Sequence, residues 1–403
     1  MKTYEDALAT MDFRVSWEQD GIRHIDELHA ERVNFWRDIL PPGLHENMVR
    51  QPGVRSVTLE FDAGQVLPQR RPEWVHRVRQ ADIEKRRFAG IEIELRHGRF
   101  YPRGILRGVP GVFRENVQSF RCTGVDAERI SADLNHPLSG KKISFEVAVH
   151  DLRPKFEEHG GTSTDWIETT LDGPGIQARA NRGPTDFFSG RHFDRTDENE
   201  DAVFYEKPRM VNHLDHTAIG VVSRLYGRLI RPSANVLDLM GSWTSHLPAE
   251  LKLNQLTVLG MNPEELQFNP RAQELVVHDL NLNPCLPFGD GCFDAAVCTA
   301  SVEYLTRPFE VFDEVDRILK PGGLFIHTFS NRWFPPKAIR IWPELHEFER
   351  MGLVLEYFLK SDKYTRLETY SMRGLPRPEG DKYYGQVLYS DPVYAVWGWK
   401  AAT

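Results

Sequence analysis

Asn235-Val-Leu-Asp-Leu239, followed by Met240-Gly-Ser-Trp-Thr-Ser-His246, is the stretch that decides the fold of the second half of the chain. Its first five residues are a short, mostly apolar run, which is typical of a strand buried in a parallel sheet. Small and polar residues then follow, as expected for a turn. Because ligands bind beyond the carboxyl ends of such strands, where the strand order reverses, we expect Asp238 and this turn to border a binding site.

Strands and helices are predicted to alternate on both sides of this stretch. Buried strands are predicted at 256–260, 274–278, 293–298 and 324–329. Helices are predicted at 211–229 and 308–319, together with a helical stretch between residues 239 and 256. Late strands at 353–359 and 393–399 are expected to complete the sheet as an antiparallel edge. This alternation indicates a mostly parallel sheet with helices on both of its faces.

Six elements follow one another in this half. They are Val236-Leu-Asp-Leu239, Val258-Leu-Gly-Met-Asn262, Asp279 with Leu286-Pro-Phe288, Phe293-Asp-Ala-Ala-Val297, the helix at 309–319 and Lys320-Pro-Gly-Gly323. In this order and spacing they resemble the motifs of S-adenosylmethionine (SAM)-dependent methyltransferases. The resemblance implies an α/β Rossmann-like domain over residues 203–403 with a mostly parallel seven-stranded sheet, methyltransferase activity and SAM as cofactor.

The same resemblance assigns cofactor-binding roles to residues at the strand ends. Asp238 matches the acid that holds the amino group of the methionine part of SAM, and Asn262 lies where the family has the acid that binds the ribose. Asp279 matches the residue that accepts a hydrogen bond from the adenine amine, beside the backbone amide of Leu280. Ala300, shortly after the fourth strand, would lie on the floor of the site.

The loop after Asp238 departs from the family pattern in its glycines. Gly241 is present but displaced by one position, and Met240, Ser242 and Thr244 stand where the family has glycine. Glycine there lets the backbone approach a ligand and take a positive φ at little cost. One interpretation is a decayed domain that no longer binds SAM. The other is a subgroup in which serine and threonine side chains replace backbone contacts, and it is favoured because the loop is similar to a methyltransferase-like set whose first motif reads DLMSSW-x-SHLP.

The candidates for contact with the reacting groups are His246, Tyr205 and His213, with Arg209 beside them. Tyr205, Arg209 and His213 lie around the start of the helix predicted at 211–229. They either close over the cofactor or substrate, with Arg209 meeting a carboxylate, or make ordinary contacts at a helix start. His246 is either a general base, for which a neutral imidazole is suited, or the cap of a helix expected to begin after Pro248. Gly241, Ser242 and Trp243 are also expected at the cofactor, although Trp243 could instead pack between strand and helix.

The first half of the chain is predicted to be a small β-rich α+β domain over residues 1–153. Strands are predicted at 54–61, 91–95, 117–125, 129–133 and 142–150, and helical stretches at 24–36. The segment at 132–153, which contains Asp133-Leu-Asn-His-Pro-Leu-Ser-Gly140, resembles the C-terminal signature of FKBP-type prolyl isomerases of the SlyD branch. This resemblance is interpreted as a docking or site-covering module, in which Asn135 and His136 fix the turn by hydrogen bonds. Residues 154–202 are predicted to be an irregular connector with a short helix at 165–171.

Composition narrows the possible partners. The chain has 403 residues, 58 of them acidic and 50 basic, a formal net charge of −8 and a pI near 6.0, which argues against nucleic acid. Its four dispersed cysteines predict neither a disulfide framework nor a zinc site, and no metal ion is expected. No apolar run is long enough for a signal peptide or a membrane span, so a cytoplasmic protein is expected.

These patterns together predict an enzyme that transfers a methyl group from SAM to a small-molecule acceptor. Two alternatives stay open at this point. One is a non-enzymatic binding or chaperone-like protein with a decayed methyltransferase domain, and the other is a prolyl isomerase with an accessory domain.

Overall fold

A computed structural model describes residues 7–50, 54–84, 87–88, 91–155 and 161–402. The strands are β1 (Ala7–Gln19), β2 (Ile22–Asn34), β3 (Ser56–Phe61), β4 (Val75–Arg79), β5 (Arg87–Phe88), β6 (Ile91–Glu92), β7 (Phe100–Pro102), β8 (Ser119–Val125), β9 (Arg129–Asp133), β10 (Ile143–Pro154), β11 (Asn235–Leu239), β12 (Gln255–Gly260), β13 (Glu274–Val277), β14 (Phe293–Thr299), β15 (Leu319–Phe329), β16 (Tyr364–Arg373) and β17 (Val393–Lys400). The helices are α1 (Leu44–Arg50), α2 (Trp166–Leu171), α3 (Asp201–Phe204), α4 (His216–Leu229), α5 (Pro263–Gln267), α6 (Pro308–Ile318) and α7 (Glu347–Ser361). Residues 156–160 of the predicted connector, and residues 1–6 of the predicted N-terminal domain, lie outside the described residues.

One mixed sheet organises most of the described chain. Eleven strands of the described residues lie in the order β13-β12-β11-β14-β15-β17-β16-β2-β1-β10-β3. Neighbours from β13 to β15 are parallel, and β17 is antiparallel to both β15 and β16. These first seven strands include the mostly parallel sheet that the sequence predicts, but β17 and β16 do not form the predicted edge, because the sheet continues from β16 to β2. The strand order reverses beside β11, because β12 and β13 lie on one side of it and β14 and β15 on the other.

Apolar residues cover both faces of this part of the sheet. Successive strand residues point to opposite faces, so Val236 packs in the cluster that contains α4 and Leu237 packs in the cluster that contains α6 and α7. The helix predicted at 211–229 begins only at His216, since the Asp215 side chain caps it by accepting a hydrogen bond from the Ala218 amide at 2.9 Å.

Two elements predicted in this half are wrong. Residues 353–359 were expected to form a strand but lie inside α7, whose residues from Phe348 to Phe358 are all buried. A short buried run of this kind does not by itself distinguish a helix from a strand. Residues 240–254 were expected to include a helix but form turns and irregular backbone. No helix begins after Pro248 in this described segment, so His246 is not a helix cap.

The helical stretches predicted at 24–36 are also wrong, because β1 and β2 form a long antiparallel hairpin there. The turn is Asp20-Gly21, with φ of +54° and +77°, which is the geometry of a tight two-residue hairpin turn. Met11, Phe13, Val15 and Trp17 alternate along β1 and are buried on one face. This alternation of period two is the signal that could have identified the hairpin.

The remaining N-terminal strands divide between two sheets. β4, β9, β8 and β7 form a separate small sheet, whereas β10 pairs with β1 and β3 in the large one. The predicted FKBP-like domain is not confirmed. Asn135 and His136 do fix the turn between β9 and β10, since Asn135 Nδ2 donates to Asp133 Oδ1 at 2.7 Å and the Leu138 amide donates to His136 Nδ1 at 3.1 Å.

The two halves of the chain are joined by the parallel pairing of β2 with β16. At this joint the buried Asp26 carboxylate lies 2.9 Å from Arg373 Nη2 and accepts a hydrogen bond from the Ser371 hydroxyl.

All four cysteines are free thiols. Among the described residues, none of the helices combines the length and apolar character needed to cross a membrane.

Candidate functional site

The carboxyl ends of β11, β12, β13 and β14 open into a cavity where the strand order reverses. Its space, open mouth included, is about 1180 Å³. All the residues predicted to bind the cofactor or to act in catalysis line this cavity. They are Tyr205, Arg209, His213, Asp238, Gly241, Ser242, Trp243, His246, Asn262, Asp279, Leu280 and Ala300. Residues distant in the sequence thus meet at one edge of the sheet.

Asp238 is buried near the end of β11, with 3% of its surface exposed. Burial raises the pKa of its carboxyl to about 7, against a smaller lowering by the hydrogen bond that the carboxylate accepts from the Ser245 hydroxyl. Ionising this group in the ligand-free protein is therefore costly. A cationic ligand group beside it would offset that cost.

The loop after β11 keeps a tight backbone despite its few glycines. Met240 has a φ of +57°, the left-handed conformation that glycine adopts most readily. Gly241 cannot carry a side chain, because a Cβ there would lie 2.6 Å from Val258 Cγ1 and 2.9 Å from Asp238 Cγ. A Cβ on Gly260 would likewise lie 2.2 Å from the Gly241 carbonyl oxygen. Gly241 and Gly260 thus let the loop pack directly on β12.

Polar side chains hold this loop in place. Asn269 Nδ2 donates to Ser245 Oγ and to the Ser242 carbonyl oxygen, both at 3.0 Å. The Ser242 hydroxyl donates to Glu265 Oε2 at 2.5 Å. The serines therefore connect Asp238, on β11, to Glu265, on α5.

Arg271 supports the rest of the segment between β11 and β12. Its guanidinium donates to the carbonyl oxygens of Leu247, Pro248 and Leu251 at 3.1, 2.7 and 2.7 Å. Backbone carbonyls away from water need such partners, which a helix would otherwise supply. The side chain of Arg271 thus supplies the donors that backbone amides would supply to these carbonyls in the expected helix.

The side-chain amide of Asn262 makes all of its hydrogen bonds to the backbone of the protein. Its Oδ1 accepts hydrogen bonds from the amides of Glu264 and Glu265 at 2.9 and 3.0 Å, as the N-cap of α5. Its Nδ2 donates to the carbonyl oxygens of Tyr205 and Glu206 at 2.9 and 3.0 Å. A carboxamide has two donor hydrogens and two acceptor lone pairs, and all four are occupied here. Glu265, whose amide donates to Asn262 Oδ1, carries a carboxyl group that also lines the cavity.

The predicted adenine and floor residues lie on tight turns after β13 and β14. Asp279 Oδ1 accepts hydrogen bonds from the amides of Asn281 and Leu282 at 2.9 and 3.1 Å, and Leu280 is buried beside it. Ala300 takes a φ of +49°, and its amide donates to the Thr328 carbonyl oxygen at 2.7 Å.

Tyr205, Arg209 and His213 form a wall of the cavity that does not belong to the sheet. The Arg209 guanidinium lies 4.5 Å from the ring centroid of Phe204 and 5.4 Å from that of Phe334. The contact between Arg209 and Glu265 is made by the backbone amide of Arg209, which donates a hydrogen bond to Glu265 Oε1 at 2.7 Å, rather than by its guanidinium. The His213 ring packs edge-on against Phe334, with centroids 4.9 Å apart.

Two histidines of the cavity, His213 and His246, are neutral at pH 7. Burial, with a smaller effect of His213, lowers the pKa of His246 to about 4. Burial also lowers the pKa of His213. Burial raises the pKa of Tyr205, so its phenol keeps its proton. Of these groups, the imidazoles are the ones able to accept a proton.

Sequence reasoning missed Glu265, Asp201 and Phe334, which also line the cavity. Glu265 follows Asn262-Pro263, a pattern typical of a helix start, which could have placed its carboxylate in the first turn of a helix at the strand end. Asp201 lies 2.7 Å from Arg195 and accepts a hydrogen bond from Asn281 at 2.8 Å. No signal in the sequence pointed to Phe334.

Comparison with known proteins agrees with this geometry. Residues 240–327 match the family described as methyltransferase domain. An uncharacterized methyltransferase of Mycobacterium sp. (strain JLS) is 26% identical over 144 residues, which are 35% of this chain and 50% of that protein. Another, from Mycobacterium sp. (strain KMS), is 25% identical over 146 residues, with shares of 35% and 50%. The chain thus spans about half the length of the curated relatives it matches.

Two solved structures are also similar. One is a SAM-dependent methyltransferase of Thermotoga maritima, described as a possible histamine N-methyltransferase. It is 13% identical in sequence with a TM-score of 0.35, and the match covers 46% of this chain and 90% of that chain. A SAM-dependent methyltransferase of Aquifex aeolicus is 13% identical with a TM-score of 0.31 and covers 50% of this chain and 97% of its own. The family match thus indicates a methyltransferase-like domain in the second half of the chain.

Proposed function

We propose that the chain is a SAM-dependent methyltransferase whose acceptor is a small molecule bound in the cavity at the carboxyl ends of β11 to β14. The observation that carries the proposal is the buried carboxyl of Asp238 at the point where the strand order reverses. It lies in the position that the resemblance assigns to the acid holding the ammonium group of SAM. SAM would supply an electrophilic methyl group there.

The other cavity residues suit the remaining parts of the cofactor. Glu265 offers a carboxylate for the ribose hydroxyls, which the occupied Asn262 does not. Asp279 and the Leu280 amide offer an acceptor and a donor for the adenine edge. Asn262 then acts as a positioning residue that ties the chain at Tyr205 and Glu206 to the start of α5.

The proposed catalytic contribution of the chain is alignment and exclusion of water, because methyl transfer is an in-line displacement. His246 and His213 are neutral and accept a proton where the acceptor must lose one. Tyr205 and Arg209 enclose the acceptor together with Phe334. A partly enclosed site of this kind favours a small acceptor over a polymer.

The end of the connector contributes one residue to the wall of the cavity. Asp201 is the first residue along the described chain to line the cavity, and Arg195 and Lys337 hold it at 2.7 and 3.2 Å. The N-terminal strands extend the sheet from β16. A docking role for them stays a prediction.

The prolyl isomerase alternative gains no support from Phe61, Trp74, Tyr101 and Phe113, four aromatic residues that the FKBP resemblance could assign to an apolar pocket. Phe61 and Tyr101 are buried in separate hydrophobic clusters, whereas Phe113 is 60% exposed and Trp74 36% exposed. An isomerase pocket needs aromatic rings that converge, and these four do not share one pocket.

Binding of S-adenosylhomocysteine to the full chain tests the proposal by calorimetry and by thermal shift, because a ligand that binds only the native state raises its melting temperature. We expect binding in the wild type. In Asp238→Asn we expect affinity lower by about 10- to 100-fold, as for loss of a hydrogen bond to a charged group. Absence of binding to the wild type at about 1 mM ligand would favour the decayed-domain alternative. Consumption of SAM with a panel of small acceptors then tests the substrate class.

A further inference from the structure

Three strands of the N-terminal half bring Asp12, His29 and His150 together. Asp12 lies on β1, His29 on β2 and His150 on β10, which are neighbours in the large sheet. Asp12 Oδ1 lies 2.6 Å from His29 Nδ1, and Asp12 Oδ2 lies 2.7 Å from His150 Nε2. One ligand atom from each residue lies within 4.8 Å of the other two.

The backbone places these side chains through two irregularities beside Asp12. Asp12 and His29 are direct register partners of β1 and β2. In the pairing of β1 with β10, Met11 lies opposite Val149 and Thr10 opposite Asp151, so His150 is the extra residue of a bulge. β2 also bulges, since Ala9 pairs with Val33 and Met11 with Ala30. Bulges re-aim side chains and are frequent beside functional sites.

We propose that Asp12, His29 and His150 form a binding site for a divalent transition-metal ion, of which Zn²⁺ fits the donors best. Two imidazole nitrogens and one carboxylate oxygen are the donor types that Zn²⁺ takes in sites with three protein ligands. Ligand atoms at about 2.1 Å from a tetrahedral Zn²⁺ are about 3.4 Å apart, so shifts on the order of 1 Å convert the present contacts into a coordination shell.

The surroundings distinguish this group from an ordinary ion pair. Arg14, one position further along the same face of β1, lies 3.6 Å from Glu27 and 3.9 Å from Glu146 and is thus paired with its own carboxylates. Each oxygen of Asp12 contacts a different histidine instead. When the ion binds, protons on the coordinating nitrogens pass to solvent.

The site opens to solvent on one side. The side chain of His29 is 11% exposed, that of Asp12 28% and that of His150 49%. Three protein ligands with an open side leave a coordination position for water or a second ligand. None of the three residues lines the cavity of the methyltransferase domain, so the proposal stands apart from the function proposed for that cavity.

Zinc binding to the full chain, freed of metal with a chelator, tests the proposal. The probe is Zn²⁺ alone, measured by competition with a chelating dye, and the test variant is H29A/H150A. The control is H76A/H216A, which removes two histidines remote from the site in sequence. We expect the wild type and the control to bind one equivalent of Zn²⁺ tightly. The test variant should bind Zn²⁺ at least about 100-fold more weakly, because loss of a residue that only supports a metal ligand already lowers metal affinity by about 10- to 100-fold.

Two further measurements keep the test decisive. Zn²⁺ should raise the melting temperature of the wild type and the control but not of H29A/H150A. Circular dichroism checks that the variants fold. If H29A/H150A does not fold, H150A alone replaces it as the test variant, because His150 is a half-exposed position. Equal zinc stoichiometry and affinity in the wild type and in a folded H150A or H29A/H150A variant would overturn the proposal.

Discussion

At the residue scale, the burial of Asp238 makes the stability of the chain depend on pH. Its folded-state pKa of about 7 lies above the ordinary value of 3.8 because the carboxyl is buried. Between these two values the native state holds the proton more tightly than the unfolded state does. Stability from this group is therefore present at low pH and is lost as the pH rises from about 4 to about 7.

We predict that Asp238→Asn stabilises the ligand-free protein above pH 7, and that the gain shrinks towards pH 4. The reason is that the amide needs no costly ionisation and can still accept the hydrogen bond from Ser245. Urea unfolding at pH 5 and pH 8 measures this. Asp126→Asn is the control, and its effect on stability at the higher pH should have the opposite sign. Backbone hydrogen bonds from Arg129 and Glu128 lower the pKa of the exposed Asp126, so its ionised form stabilises the native state. A wild type no less stable than Asp238→Asn at pH 8 would contradict the prediction.

A second residue-scale prediction separates Glu265 from its neighbour. Glu265→Gln is expected to weaken binding of S-adenosylhomocysteine by roughly 10-fold, because the carboxylate accepts hydrogen bonds from Ser242 and Arg209 and lines the cavity. Glu264→Gln, at an exposed position on the same helix, is the matched control and should bind as the wild type does. Calorimetric titration of both variants gives the comparison. Equal affinities would show that Glu265 does not contact the cofactor.

At the scale of elements, the segment 240–254 is unusual because it connects two parallel strands without a helix. Its order depends on Arg271, whose guanidinium holds three backbone carbonyls. Because this segment carries Gly241 to His246, its stability and the shape of the cavity are linked.

We predict that Arg271→Met destabilises the chain by about 2–4 kcal/mol, since it leaves several partly buried carbonyls without donors. The exposed Arg224 of α4 provides the control, and Arg224→Met should change stability by less than about 0.5 kcal/mol. Urea unfolding monitored by tryptophan fluorescence measures both. Similar stability of the two variants would mean that the loop does not need Arg271.

At the scale of the whole molecule, the pairing of β2 with β16 makes one sheet of two sequence halves. Asp26 and Arg373 form an ion pair across this joint, with the Asp26 side chain fully buried. Removing one partner of a buried pair leaves an uncompensated charge, which is costlier than removing both.

We therefore predict that Asp26→Ala costs about 3–5 kcal/mol of stability and that adding Arg373→Met recovers much of the loss. Differential scanning calorimetry of the two variants and the wild type is the measurement. The wild type is expected to unfold with the two halves coupled through the joint. A double variant no more stable than Asp26→Ala alone would show that the pair does not act as a unit.

Much of the methyltransferase half could be predicted because its signals are local. A buried strand such as Asn235–Leu239 is short, apolar and bounded by turns, and the polar residues after β11 to β14 must meet at one edge of a parallel sheet. The hairpin of β1 and β2 carried an equally local signal in its alternating residues and in Asp20-Gly21. Residues 353–359 were ambiguous, since a wholly buried helix and a buried strand have similar apolar sequences.

The sequence by itself thus determined the alternating α/β core, the edge of the sheet where the cavity opens, and many but not all of the residues that line it. Only the tertiary structure decided that Asn262 is occupied by the backbone of residues 205 and 206, that Arg271 replaces a helix, and that β16 continues into the N-terminal strands. It also brought Asp12, His29 and His150 together. The physical reason is that each of these outcomes joins groups far apart along the chain, and no local periodicity or propensity specifies such contacts.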